Sequence, residues 1–403
     1  MVERTRRQWL ATCVGTGTAV LAGCSSASDD TSNVTDDGDN TTPTDSSDDG
    51  GSIGDEGGDD LSSDEWPMAG VDLENTGYHP TATGPTGPVS ERWVFETDGR
   101  ISGGAAIADQ TVYVGSGNSY FYAMDINSGD KIWSTRIPAA NYNSTPTISG
   151  DKIFVNDGAG DIVAFDREFG EIVWDTNSHN VRPVGSPSLI NDIIYTNSDD
   201  GEVVGIARGS GDIKWRHEID GRGSMTTAIS NGILYAVGVP HHVYALDLES
   251  QERLWETETG SSTMGLAVGK DHVYAGAQKN ETIYAFDPQN GEIIWESDVG
   301  SMILTSISYH SGDLFAGTRD GVISVGTEGA IRWENPAGGH RGNITLTNEL
   351  LFTGSDDGVH ALDRTGGEEI WYFQTDEYIH AAPSVVNDVL IVGTDAGDIY
   401  ALE

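Results

Sequence analysis

Eight tryptophans punctuate most of this chain at near-constant distance: Trp93, Trp133, Trp174, Trp215, Trp255, Trp295, Trp333 and Trp371, separated by 40, 41, 41, 40, 40, 38 and 38 residues. A period of this length marks one supersecondary unit per repeat, and each unit buries its apolar face only against its neighbours. Ahead of most of these tryptophans stands a matching phrase: Tyr122-Ala-Met-Asp125, Val163-Ala-Phe-Asp166, Tyr244-Ala-Leu-Asp247, Tyr284-Ala-Phe-Asp287 and His360-Ala-Leu-Asp363. Gly129, Gly170, Gly211, Gly291 and Gly367 follow at the turn, and β-rich runs such as Val112-Tyr113-Val114 and Asp-Gly turns such as Asp157-Gly158, Asp200-Gly201, Asp320-Gly321 and Asp357-Gly358 lie upstream. Each unit therefore reads as four short strands. Runs such as Ile153-Phe154-Val155 fit strands covered on both faces, and residues 90–403 hold no long amphipathic helical pattern. Solenoids of this period are mostly helical, so the pattern predicts an all-β, eight-bladed propeller of four-stranded blades. Trp93 precedes the first complete three-strand set and no tryptophan strand follows Glu403. Pairing the Trp93 strand with the last strand, at Ile399-Tyr400, closes the ring and removes both sheet edges.

The phrase Ala-x-Asp-x-x-x-Gly-x-x-x-Trp resembles the tryptophan-docking motif of the PQQ-like (quinoprotein) propellers. The opening Trp66-Pro67-Met68-Ala69-Gly70, with Asn75-Thr76-Gly77-Tyr78-His79-Pro80, resembles the segment before their first blade. The likeness covers about residues 66–403. It implies that the eight repeated tryptophans are structural docking residues, with the Asp and Gly shaping the turn. Val204-Gly-Ile-Ala207 and Ser324-Val-Gly-Thr327 depart from the motif by lacking the Asp, so their turns need another support.

Residues 1–24 read as an export signal. Arg6 and Arg7, within Thr5-Arg6-Arg7-Gln8-Trp9-Leu10, resemble the twin-arginine signal; the apolar run that follows is too short to span a bilayer. It ends in Leu21-Ala22-Gly23-Cys24, similar to a lipobox in which Cys24 is lipidated. Residues 25–65 carry 14 acids and no Lys or Arg, a composition expected to form a disordered acidic tether between the lipid and a propeller spanning 66–403. The expected location is extracytoplasmic, anchored to the outer face of the cell membrane, with two acyl chains needed for stable attachment.

The chain has 64 acidic and 21 basic residues, a formal net charge of -43. Such a surface repels nucleic acid and anionic lipid headgroups. The acids are spread along the chain rather than clustered, which fits adaptation to high salt and a halophilic archaeal source better than a cation site. Both cysteines, Cys13 and Cys24, lie in the leader, so no disulfide or thiol chemistry is available to the repeats.

The resembling family holds both PQQ-dependent alcohol and sugar dehydrogenases and a non-catalytic, BamB-type lipoprotein branch. Dehydrogenases need a divalent metal, an acidic base and often a cysteine pair beside the quinone. No such Glu/Asn/Asp trio stands out, the cysteine pair is impossible, and the blades are near minimal length. His241-His242 read as a turn, and no zinc spacing is present. Asp-rich turns at residues 198–201 and 355–358 lack the full calcium-loop pattern. The sequence thus predicts no catalytic residue, no metal and no cofactor, with PQQ and Ca²⁺ entering only under the dehydrogenase alternative. A further alternative is an accessory or sensing subunit of a membrane complex. The expected role is a monomeric scaffold with a protein or peptide partner at its rim or funnel. Arg100, Arg182 and Arg222 share one aligned position just after the tryptophan strand, and Arg341 lies two places further on in its blade. With Tyr142 and Tyr378 beside them, they form a candidate basic, aromatic funnel for an anionic or acidic ligand. The competing reading is that these arginines pair with acids across blades.

Cys24→Ser should move the protein from the membrane to the soluble fraction; a variant that stays with the membrane and keeps its mass would remove the lipid anchor from this reading.

Overall fold

A computed structural model describes residues 61–137, 144–176, 181–339, 342–375 and 377–403, with the backbone alone for Ser224 and Met225. The described strands form eight four-stranded antiparallel sheets. Blade 1 comprises Ala106–Ala108, Thr111–Ser116, Tyr120–Asp125 and Lys131–Arg136, ordered from the inner to the outer strand. Blades 2 to 7 repeat this order over residues 147–175, 183–218, 222–258, 263–298, 308–335 and 345–374. Blade 8 takes Ser384–Val386, Val389–Gly393 and Asp398–Leu402 from the end of the chain and Glu91–Glu96 from its beginning. Trp93 pairs with Ala401 and Val94 with Tyr400, so the ring closes as the repeat count requires.

The middle strands are apolar on both faces because each sheet packs between two others. Ile153, Phe154 and Val155 are all fully buried. The apolar clusters cross blade boundaries: Tyr113 and Phe121 of blade 1 pack with Val155 and Phe165 of blade 2.

The tryptophans are placed by a repeated irregularity. In blade 1, Ala123 faces Trp133 but Met124 faces Lys131, which leaves Ile132 bulged. The same skip precedes the tryptophan in every blade. A bulge re-aims its neighbours. Here it turns Ile132, Val173, Leu254, Ile294 and Ile370 to solvent and sends the indoles toward the next blade. Seven indole N–H groups then donate to a backbone carbonyl: six to the next blade's turn, beginning with Trp93 to Ile126 (2.8 Å), and Trp371 to Pro85 (2.8 Å) in the segment before the ring-closing strand. Trp215 makes no such bond, and in the turn it faces the usual glycine is replaced by Gln251 at φ 61°.

Aspartates at the phrase end hold these turns. Asp166 Oδ1 accepts from the N–H groups of Glu168 and Phe169, and its carbonyl accepts from Gly170. The two turns without Asp keep the backbone bonds alone, Gly211 to Ala207 and Gly329 to Gly326. Flanking ion and hydroxyl pairs join them, Arg332 with Glu328 and Ser210 with Asp212.

Residues 61–65 already contact the rest of the described chain. The Leu61 carbonyl accepts from Thr81, and the Ser63 hydroxyl donates to Asn387 at 2.6 Å. No helix among the described residues is long and apolar enough to cross a membrane.

Gly170 sits at φ +70°, and a Cβ there would lie 2.5 Å from the Trp133 ring. Gly170→Ala should therefore lower unfolding stability by about 1–3 kcal/mol from the left-handed backbone alone, read by denaturant melts against Gly209→Ala, where a Cβ meets open space.

Candidate functional site

An innermost strand is an edge strand whose outward N–H and C=O groups lack a ladder partner. Eight such edges face the propeller axis, and serine and threonine side chains satisfy many of these groups. In one tier, a hydroxyl donates to a carbonyl of the following blade: Thr147 to Pro187 (2.5 Å), Ser188 to Thr227 (3.1 Å), Ser308 to Ile344 (2.8 Å), Thr345 to Pro383 (2.5 Å) and Ser384 to Ala105 (2.8 Å). Two residues earlier the direction reverses, and a backbone N–H donates to the next blade's side chain. Gly104 donates to Thr145 (3.1 Å), Thr145 to Ser186 (2.9 Å), Ser186 to Thr226 (3.2 Å) and Ser306 to Asn343 (3.0 Å).

Residues 66–84 run around one end of the axis as a belt. Trp66 exchanges both backbone bonds with Ile107. The carbonyls of Pro67, Leu73, Glu74, Thr76 and Gly77 accept from Ile148, Ile229, Val268, Tyr309 and Leu346, one residue on blades 2, 4, 5, 6 and 7 in turn. Thr83 and Gly84 reach Asn387 beside blade 8. Where Ala228 lacks the hydroxyl that would serve the Leu266 carbonyl, the belt's Asn75 amide donates instead, at 2.6 Å. Tyr78 stacks on His310 with ring centroids 3.5 Å apart, and burial there holds the imidazole down to about 4.

Above the belt lies a cavity of about 160 Å³, open toward the opposite end. The belt's Trp66, Gly70 and Asn75 floor it; Thr145, Ser186, Thr226, Asn343 and His380 are among its walls. His380 Nδ1 bonds Asp395 Oδ1 at 2.8 Å, and Nε2 is buried with no hydrogen bond among the described residues.

The open mouth is where the sequence placed its arginines. Arg182 donates to Asp199 (2.8 Å) and Asp200 (2.6 Å), and Arg222, from the next blade, reaches the same Asp199. Arg100 pairs with Asp395 at 2.7 Å. Each of these arginines thus neutralises an acid of a neighbouring strand-to-strand turn. Tyr378 stands half-exposed beside His380, with ring centroids 6.0 Å apart. Tyr142 and Arg341 lie outside the described residues, as do Cys24, Arg6 and Arg7. Pro240 and His241 form the turn expected of the His241-His242 pair, and His242 opens the following strand.

His380, which sequence reasoning set beside the arginines of the mouth, falls in the cavity wall, while the two hydroxyl tiers were not singled out. Their signal was present: the triplets Thr145-Pro146-Thr147, Ser186-Pro187-Ser188, Ser306-Ile307-Ser308 and Asn343-Ile344-Thr345 begin 10 to 12 residues after a tryptophan.

No group of three His, Cys, Asp or Glu among the described residues is placed to hold a metal ion. The cavity is below the roughly 300–1,000 Å³ of sites for ligands of cofactor size.

Asp72 is a second titratable group at this floor. Its carboxylate accepts from the Thr76 N–H (2.8 Å) and from the Thr76 hydroxyl, yet burial pushes it up to about 7. The folded protein then holds this proton where the unfolded chain, near 3.8, has lost it. Stability from this group is full below pH 3.8 and is lost as pH rises toward 7. Asp72→Asn should therefore match the wild type near pH 4 and exceed it increasingly toward pH 7.5 in thermal melts.

Three comparisons bear on the family. The sequence profile of the family described as outer membrane protein assembly factor BamB (PQQ_2) matches residues 81–297 and 319–403. A search of the curated proteins returned no match. Among solved structures, quinohemoprotein alcohol dehydrogenase from Comamonas testosteroni is 13% identical, with a TM-score of 0.73 over 85% of this chain and 81% of its own. BamB from Moraxella catarrhalis is 17% identical, with a TM-score of 0.65 over 78% of this chain and 97% of its own. The computationally designed Ika8 protein is 14% identical, with a TM-score of 0.67 over 76% and 96%. At these identities the structures establish the fold, and the profile match over most of the chain establishes the rest: this protein is a member of the PQQ-like repeat propeller family described as outer membrane protein assembly factor BamB.

Proposed function

We propose that this propeller is a non-catalytic, extracytoplasmic lipoprotein, anchored through Cys24, that binds a protein or peptide partner at its open mouth and rim. The observation that carries this reading is the build of the axial channel. The belt crosses one end, and hydrogen bonds between blades run along the wall. What faces a partner is the ring of turns at the open mouth, where Arg100, Arg182 and Arg222 pair with turn aspartates. Such a surface suits a partner that matches shape and exchanges ion pairs. Fold alone does not decide between binding and catalysis, since the same architecture occurs in a quinohemoprotein alcohol dehydrogenase and in a BamB.

The test is a titration of the purified protein with PQQ and Ca²⁺, followed by dye-linked oxidation assays with alcohols and sugars. The expected result is no turnover, together with a rim crosslink to a defined protein in intact cells that Arg222→Glu weakens. Tight PQQ binding with turnover would make the protein a dehydrogenase and overturn the scaffold reading.

A further inference from the structure

We propose that the axial cavity is a binding site for a single carboxylate group, an inference that deepens the binding reading above and rests on it. The argument is one of donors and acceptors. Thr145, Ser186 and Thr226 each spend an oxygen lone pair on a backbone N–H from the preceding blade. A hydroxyl also carries one proton to donate. None of these three protons has an acceptor among the described residues, and all three side chains line the same cavity from successive blades. On the far wall, Asn343 spends its Oδ1 on Ser306 N–H, which leaves its amide protons to donate. The wall is thus an arc of unspent donors held in place by the ring's own backbone.

His380 completes it. Asp395 fixes the ring through Nδ1, and Nε2 is buried beside the cavity without a hydrogen bond among the described residues. That nitrogen carries a lone pair in the neutral ring and a proton in the imidazolium. A carboxylate bound in the cavity gives this otherwise unused nitrogen a partner, while Asp395 holds the ring from the other side. A carboxylate is acceptor-only, with room for about four hydrogen bonds, and so takes up what the wall offers. The volume, about 160 Å³, admits the group and a few atoms behind it. Near the cavity, Arg100, Arg182 and Arg222 neutralise Asp395, Asp199 and Asp200.

Two sources supply this chemistry, the C-terminus of a partner chain and a free small acid. The test is isothermal titration of the full-length protein with three probes: acetate, a four-residue peptide with a free C-terminus, and the same peptide as its C-terminal amide. The expected result is that a free carboxylate binds and the amide does not. Peptide binding far tighter than acetate assigns the site to a chain terminus; equal affinities assign it to a small acid. His380→Ala should weaken binding roughly tenfold or more, and His380→Gln, a permanent donor, should restore it. Asn343→Asp keeps the acceptor for Ser306 N–H, and so the ring, but sets a negative charge in the wall and should abolish binding. Acid and amide binding equally, no binding of either free carboxylate, or no effect of both His380→Ala and Asn343→Asp would overturn the proposal. A rim crosslink that persists while no carboxylate binds would sink this inference and leave the scaffold reading standing.

Discussion

The molecule depends on one contact repeated at six of the eight tryptophans: an indole laid over the left-handed glycine of the next blade's turn, its N–H on that turn's carbonyl. A single docking of this kind is a modest contribution, since a hydrogen bond nets about 0.5–1.5 kcal/mol. Its strength lies in repetition under closure. Each blade is held on both sides, and the ring strand Glu91–Glu96 joins the last blade to the chain's beginning. The bulge before each tryptophan belongs to the same device, because it sets the indole's direction and displaces an aliphatic residue to solvent.

A ring also creates a difficulty on its inner side. Eight edge strands converge on the axis, and their unpaired groups sit where water is scarce. The protein answers with side-chain hydroxyls that bond from blade to blade, and with a belt whose carbonyls take the next set of N–H groups. Where one answer fails the other substitutes, as at Ala228, where Asn75 reaches Leu266. The acidity is handled more simply: with few basic residues, the arginines of the mouth sit against turn aspartates on the same or the adjoining blade.

The period of the tryptophans made the architecture legible, down to the strand that closes the ring. Spacing reports how many units there are, and closure follows because the last unit is one strand short. The belt was legible only as a segment before the first blade, since its bonds are made by backbone groups and leave no side-chain periodicity. The hydroxyl tiers were present as Ser/Thr triplets, but those residue types also mark turns, so spacing alone does not separate the roles. The arginines were found at a shared position; their partners, Asp199, Asp200 and Asp395, come from a different part of each repeat, and only the fold brings the two together. Residues 61–65 are fastened by backbone and hydroxyl groups as well as by the Leu61 side chain, and such polar bonds leave no periodic signal in the sequence.

The belt also sets how the molecule bears load. Its bonds reach successive blades in chain order, from Ile107 of blade 1 to Leu346 of blade 7. A pull on the N-terminal end therefore loads them one blade at a time, like a seam opened from its end. The ring-closing strand lies beyond the belt, paired over its length in shear, and feels the force only after the seam has parted. A strain entering from the N-terminal side of the described chain thus meets the belt's hydrogen bonds before the strand on which closure depends.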